Sequence, residues 1–170
     1  YFNESVGDGG IKIGLSQLDD ALGDLERGDV TVIAARPAVG KSALTTQIIG
    51  NMAKKGLKVA YFNLEMIDKQ VYERFISRLA EIGLTRIRRA KAFLGDEQEK
   101  FNQANEEMSD YQLWIASGTV SPREIKSECR HQNFDVIVVD YLQLLMPDNR
   151  YSGRNEEVAS ISRGLKSVAR

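Results

Sequence analysis

The strongest constraint on the fold is a stretch between residues 30 and 55, where an apolar run, a glycine-containing loop and a helical pattern follow one another. The run Val30–Ala34 is nearly all apolar, which is typical of a strand buried on both faces of a parallel sheet. The loop Ala35–Ser42 ends in Gly-Lys-Ser, and the helical pattern begins at Lys41. Backbone N–H groups at such a helix start point at an anion, and the helix dipole favours negative charge there. The stretch therefore predicts a phosphate-binding site.

The loop residues suit different parts of a bound nucleotide. The Lys41 ammonium can reach the outer phosphates, and the Ser42 hydroxyl can ligate Mg²⁺. The backbone of the preceding loop residues would cradle the phosphates; these are Arg36, Pro37, Ala38, Val39 and Gly40. The general pattern opens with glycine, but Ala35 stands at that position here. A chance Gly-Lys-Ser at a helix start is therefore the alternative to a nucleotide site.

Strands and helices alternate along the chain. Strands are predicted at 30–34, 58–63, 111–115 and 136–140, and helices at 16–22, 41–55, 69–82, 97–108 and 121–131, with a last helix before residue 170. This alternation predicts an α/β fold with a mainly parallel sheet flanked by helices. Residues 1–10 end in Gly-Asp-Gly-Gly and predict a linker, which leaves residues 11–170 for the domain.

Composition narrows the class of protein. The 170 residues carry a formal net charge of −1, so nucleic-acid binding would need a local basic patch. The single cysteine, Cys129, excludes an intrachain disulfide and gives no sign of an oxidising compartment, so we expect a cytoplasmic protein. No apolar stretch approaches the roughly 20 residues of a membrane span. The chain starts without Met and ends within a helical pattern, and we expect a fragment that lacks its C-terminal part.

Two acidic residues follow predicted strands, at the edge where parallel sheets bind ligands. Asp140 ends the run Val136–Val139 and could hold Mg²⁺ opposite Ser42 through the water shell of the metal. The alternative is an aspartate that only caps a turn. Glu65 follows the strand at 58–63 and is the best candidate to orient or deprotonate an attacking water. The alternative for Glu65 is a surface position in a turn.

Other polar residues near these strands allow two interpretations. The amide of Gln143, three residues after Asp140, could contact a γ-phosphate or the attacking water, or could lie unused on the surface. Arg150 and Arg154 follow in a polar loop, where they could contact a nucleic-acid backbone or simply be solvated. The basic run at 86–91 has the pattern of a solvated helix face.

Three motifs together resemble the ATPase motifs of DnaB-type replicative DNA helicases. They are Ala35–Ser42, Asn63–Met66 and Val139–Leu144, and Gln70, Arg74 and residues 156–166 also fit the family. Alanine at the first loop position, which is unusual in the general pattern, is what this family uses. The resemblance covers about residues 11–170, and the string Asp-Tyr-Leu-Gln-Leu is specific to it rather than common to all ATPases.

The resemblance implies a RecA-like P-loop NTPase fold and a homo-hexameric ring that uses ATP and Mg²⁺ to move 5′-to-3′ on single-stranded DNA. It implies that Lys41, Glu65 and Gln143 are catalytic, with Gln143 sensing the γ-phosphate, and that Ser42 and Asp140 hold the metal. Primase and a helicase loader are the implied partners. The arginine finger and a main DNA-binding loop are expected beyond residue 170, so we expect slow hydrolysis and no unwinding by these residues alone.

Two other functions stay open at this point. One is a RecA-type recombinase or a related ring ATPase, against which the Asp-Tyr-Leu-Gln-Leu motif argues. The other is a non-catalytic, nucleotide-gated assembly module or a generic nucleotide-binding domain. The presence of both Lys41 and Glu65 favours hydrolysis over the assembly module, whereas the near-neutral charge leaves the generic nucleotide-binding domain open.

Overall fold

The computed structural model describes residues 10–89, 93–147 and 153–170. The helices in these ranges are α1 (Ser16–Leu22), α2 (Lys41–Lys54), α3 (Asp68–Leu79), α4 (Leu84–Arg89), α5 (Glu97–Ser109), α6 (Pro122–Cys129) and α7 (Arg154–Ala169). The strands are β1 (Val59–Asn63), β2 (Leu113–Ser117) and β3 (Val136–Asp140), and Leu142–Leu144 forms a 3₁₀ turn. Apart from Gly10, the predicted linker lies outside the described residues, as do Lys91 and Arg150.

The three strands form a parallel sheet in the order β2–β1–β3. The central strand β1 is buried over its whole length, because both of its edges are paired and both of its faces are covered. Tyr61 lies opposite Ile115 on one side and Val138 on the other, and Asn63 lies opposite Asp140. The register therefore brings the carboxyl ends of β1 and β3 to the same place.

Helices cover both faces of the sheet, which makes three layers. Alternate side chains of β1 point to opposite faces, as strand geometry requires. Val59 and Tyr61 join one apolar cluster with residues of α2 and α3. Ala60 and Phe62 join a second cluster, which contains Ile125 of α6 and Ile161 of α7 among others. The prediction of a parallel sheet flanked by helices is confirmed.

The predicted first core strand at 30–34 is wrong for this structure. Residues 30–40 are all exposed, and no strand is assigned there. Val32 is 74% exposed. A strand forms only where a neighbouring backbone accepts and donates its hydrogen bonds. Within the described residues β3 pairs only with β1, so nothing there pairs with residues 30–34.

The other predicted elements are confirmed, with their ends shifted by a few residues. The predicted capping box starts α6, where Ser121 and Glu124 bond each other's backbone N–H groups and Pro122 occupies the first turn. Strand β2 begins two residues later than the pattern predicts. No described helix has both the length and the apolar composition needed to cross a bilayer.

Candidate nucleotide-binding site

The site lies at the carboxyl edge of the sheet, where β1 and β3 end side by side. Asn63 and Asp140 are direct register partners. One residue further on, the Leu64 N–H donates to the Asp140 carbonyl oxygen at 2.8 Å. The turn that carries Glu65 therefore begins beside Asp140. This edge is where parallel α/β sheets bind ligands.

Lys41 joins the predicted phosphate loop to this edge. It is the first residue of α2, and its Nζ forms an ion pair with Asp140 Oδ1. The same ammonium lies 4.8 Å from the centre of the Tyr141 ring, within the range of a cation–π contact. Residues that lie 99 positions apart in the sequence are thus in direct contact. The sequence predicted this meeting of loop and strand end.

The loop backbone leaves N–H groups available for an anion. Ala38 and Gly40 adopt left-handed conformations, with φ of 64° and 107°. Gly40 precedes α2, and no side chain among the described residues caps this helix start. The first N–H groups of a helix have no partner within the helix, so they are free to bind phosphate oxygens. The exposure of residues 35–40 leaves the loop open to a ligand.

Asp140 is a buried carboxylate with a separate donor at each oxygen. Its side chain is 3% exposed, with Lys41 at Oδ1 and the Tyr61 hydroxyl at Oδ2, 3.3 Å away. Burial raises the pKa of Tyr61 above its usual range, and the negative charge of Asp140 adds to the effect. The sequence reasoning missed Tyr61. The available signal was a hydroxyl in the middle of an otherwise apolar buried strand.

A second buried polar residue, Asn63, fixes the turn that carries Glu65. Its Oδ1 accepts hydrogen bonds from the N–H groups of Glu65 and Met66, each at 3.2 Å, and its Nδ2 donates to the Met66 carbonyl oxygen at 3.2 Å. The Arg74 guanidinium donates to Met66 Sδ from α3. The Glu65 side chain itself is exposed at the sheet edge. The sequence reasoning named Asn63 only as part of a motif, although asparagine after a strand commonly organises such a turn.

Gln143 lies in the 3₁₀ turn after β3, and its side chain is exposed. Its carbonyl oxygen accepts a hydrogen bond from Arg154 Nη2 at 2.7 Å, and Arg154 Nη1 pairs with Glu157 at 3.0 Å. Arg154 is therefore tied to the backbone of Gln143. Contact of Arg154 with DNA stays a prediction, and Arg150 lies outside the described residues.

The oxygen atoms at this edge suit a magnesium ion that arrives with a nucleotide. Ser42 in the first turn of α2 offers a hydroxyl, and Asp140 offers a carboxylate. The described residues contain no cluster of three or more His, Cys, Asp or Glu that could hold a metal by itself. Mg²⁺ is commonly bound by one or two protein oxygens, with waters and phosphate oxygens completing the shell. The residues present therefore fit Mg²⁺ shared with phosphates.

Comparison with known proteins gives consistent matches. Residues 10–170 match the sequence model of the DnaB-like helicase C terminal domain. The replicative DNA helicase DnaB of Treponema pallidum (strain Nichols) is 34% identical over 167 residues, which is 95% of this chain and 38% of the relative. This chain thus spans about two fifths of the length of that relative.

Solved structures agree with the sequence matches. A DnaB-like replicative helicase, whose structure was reported with its interactions with primase, superposes with a TM-score of 0.89 at 30% identity, over 95% of this chain and 40% of the other. A second structure, described as an ATPase domain, gives a TM-score of 0.88 at 30% identity, over 96% of this chain and 61% of the other. The predicted RecA-like α/β fold is confirmed.

Proposed function

Because this chain belongs to the DnaB-like helicase C-terminal domain family, we propose that it is the ATP-hydrolysing motor of a replicative DNA helicase. The observation that carries the proposal is the contact of Lys41, from the phosphate loop, with Asp140 at the end of β3. The turn that holds Glu65 starts at the same edge. A phosphate-binding loop, a metal-holding acid and a carboxylate for water activation are the parts that phosphoryl transfer to water requires.

In this proposal each residue has one task. The N–H groups of the loop and of the first turn of α2 bind the phosphates. The Lys41 ammonium leaves Asp140 and binds the outer phosphates instead. Ser42 and Asp140 hold Mg²⁺, which when bound neutralises phosphate charge. Glu65 orients the attacking water and accepts its proton. The Gln143 amide contacts the γ-phosphate.

For the whole protein we propose a homo-hexameric ring that moves 5′-to-3′ on single-stranded DNA and interacts with primase and a loader. The relatives named as replicative DNA helicases and the neighbour described with primase support this. Arg154 is proposed to contact the DNA backbone. A strand-displacement assay with the full-length protein tests the unwinding; strand exchange without displacement would favour a RecA-type recombinase instead.

The site is tested with two variants and one control in the full-length protein. Lys41→Ala is expected to weaken binding of a fluorescent ATP analogue at least about tenfold, because the ammonium no longer reaches the phosphates. Glu65→Gln is expected to keep binding but to lower ATP turnover by about 10²–10⁴, the usual contribution of a general base. Lys54→Ala, at the other end of α2 where Lys54 pairs with Glu107, is the matched control and should change neither value.

The outcomes separate the alternatives. Equal turnover of Glu65→Gln and the unmodified protein would exclude the role of Glu65 as base. Nucleotide binding without any turnover in the unmodified protein would favour a nucleotide-gated assembly module.

A further inference from the structure

Tyr61 places a hydroxyl in the centre of the sheet, where polar groups need a partner. It is the middle residue of β1, between Ile115 and Val138, and it is fully buried. A buried tyrosine hydroxyl is almost always hydrogen-bonded. Its partner here is Asp140 Oδ2, at 3.3 Å. The one polar group of this side chain is thus directed at the carboxylate proposed to hold the metal.

The two donors to Asp140 differ in their freedom to leave. Lys41 carries its ammonium on a flexible four-carbon stem, and 24% of its side chain is exposed. The Tyr61 ring packs in the apolar cluster formed with α2 and α3, next to residues such as Ile49 and Phe75. A close-packed ring cannot swing away from its partner without disturbing the core. Only Lys41 can therefore turn from Asp140 to an incoming phosphate.

We propose that Tyr61 is a positioning residue for Asp140, which holds Oδ2 fixed while Oδ1 changes from Lys41 to the water shell of Mg²⁺. The inference rests on the proposed function of the site and adds a residue that none of the predicted motifs assigns a role. A carboxylate held at one oxygen cannot rotate freely about its last bond, so Oδ1 would keep its orientation after Lys41 leaves and could accept from a metal-bound water. Residues that lock a ligand in this way strengthen metal binding.

The hydroxyl stays a donor under working conditions. The Tyr61 hydroxyl donates to Asp140 Oδ2 at 3.3 Å, and a phenol keeps its proton at neutral pH without help from its surroundings. Without the hydroxyl, Oδ2 would be a buried carboxylate oxygen that has lost its donor.

The test removes the hydroxyl and nothing else. Tyr61→Phe is compared with Tyr111→Phe in the full-length protein. Tyr111 is the matched control, because it is half-buried and its hydroxyl donates to a carboxylate, Glu107 Oε1, at 2.7 Å, on the α5 side of the molecule. The readout is the affinity for a fluorescent ADP analogue, measured once with excess EDTA and once with Mg²⁺, together with the Mg²⁺ concentration that gives half of the full effect.

In Tyr61→Phe we expect the half-effective Mg²⁺ concentration to rise about tenfold, as for the loss of one hydrogen bond to a charged group. The affinity in EDTA should stay within about twofold, and saturating Mg²⁺ should restore the affinity of the unmodified protein, which a misfolded variant would not allow. Tyr111→Phe should match the unmodified protein throughout. An unchanged Mg²⁺ requirement in Tyr61→Phe, or an equal loss of affinity with and without Mg²⁺, would overturn the inference. If Mg²⁺ does not affect binding to the unmodified protein, the proposed metal site itself fails.

Discussion

Two mainly apolar stretches of five residues, β1 and the segment 30–34, have similar sequences and opposite environments. The residues of β1 are at most 1% exposed, whereas Val30, Val32 and Ile33 are 42–74% exposed. The strand β1 is hydrogen-bonded to β2 on one edge and to β3 on the other. The segment 30–34 has no strand partner among the described residues. Apolar composition therefore selects candidates for a buried strand, and backbone partners decide which of them becomes one.

The turns that follow these two stretches differ in the hydrogen bonds that hold them. After β1, the buried side chain of Asn63 makes three hydrogen bonds that fix the turn of Glu65. After the segment 30–34, the exposed loop has a long backbone bond, from the Val39 N–H to the Arg36 carbonyl oxygen at 3.4 Å. The buried strand β1 ends in a side chain, Asn63, that hydrogen-bonds the turn after it. The exposed segment 30–34 supplies no buried side chain to its loop. The hydrogen-bonded turn holds the backbone at Glu65, and the exposed loop leaves the N–H groups that are proposed to bind phosphates open to solvent.

The largest expected contrast comes from truncating one apolar side chain in each run. Phe62 is buried in β1 and packs edge-on against Trp114, with ring centroids 5.2 Å apart. Phe62→Ala should lower the free energy of unfolding by about 3–5 kcal/mol because it leaves a cavity. Val32→Ala should change it by less than about 0.5 kcal/mol, as is usual for an exposed residue. Urea denaturation of this 170-residue chain measures both.

If Phe62→Ala and Val32→Ala lowered the free energy of unfolding by similar amounts, the comparison would be contradicted. The comparison becomes sharper when Phe62→Ala and Val32→Ala are also measured in a chain as long as those of the relatives. A large loss for Val32→Ala there would mean that residues outside the described ranges cover the segment 30–34.

An intermediate effect is expected from the turn after β1. Asn63→Ala should lower the free energy of unfolding by about 1–3 kcal/mol, because buried groups lose their hydrogen-bond partners. ATP turnover should fall while ADP binding is kept, since Glu65 loses its fixed position. Asn102→Ala is the control, because Asn102 is exposed on α5. Thermal unfolding and steady-state hydrolysis are the measurements; unchanged turnover in a folded Asn63→Ala protein would show that the turn needs no such support.

The smallest effects on the free energy of unfolding are expected from replacing alanine by glycine at two places. The two effects should have opposite signs. Ala38 has a left-handed φ of 64°, a conformation that glycine adopts more easily, so Ala38→Gly should raise the free energy of unfolding by at most about 1 kcal/mol. Ala43 is exposed in the first turns of α2, so Ala43→Gly should lower it by about 0.5–1 kcal/mol. Chemical denaturation resolves the two directions. A loss for Ala38→Gly equal to that for Ala43→Gly would mean that the loop does not hold this conformation in solution.

The sequence was most informative where the determining interactions are local. The capping box at Ser121, the start of α2 at Lys41 and the acid at the end of β3 could all be predicted, because each depends on a few adjacent residues. The unpaired state of the segment 30–34 could not, since it depends on which strand lies next to it. The bond from Tyr61 to Asp140 joins residues 79 positions apart, and only the register of β1 and β3 brings them together.

The hydrogen bond from Arg154 to the Gln143 carbonyl oxygen ties the first turn of α7 to the 3₁₀ turn after β3. The helix has 16 residues and is about 24 Å long. Ile161 in its middle is buried in the cluster with Phe62 and Ile125, and Lys166 near its far end donates to the Gly28 carbonyl oxygen and to Asp29. A displacement of the first turn of α7 that kept this bond intact would carry along the backbone of Gln143, the residue proposed to contact the γ-phosphate.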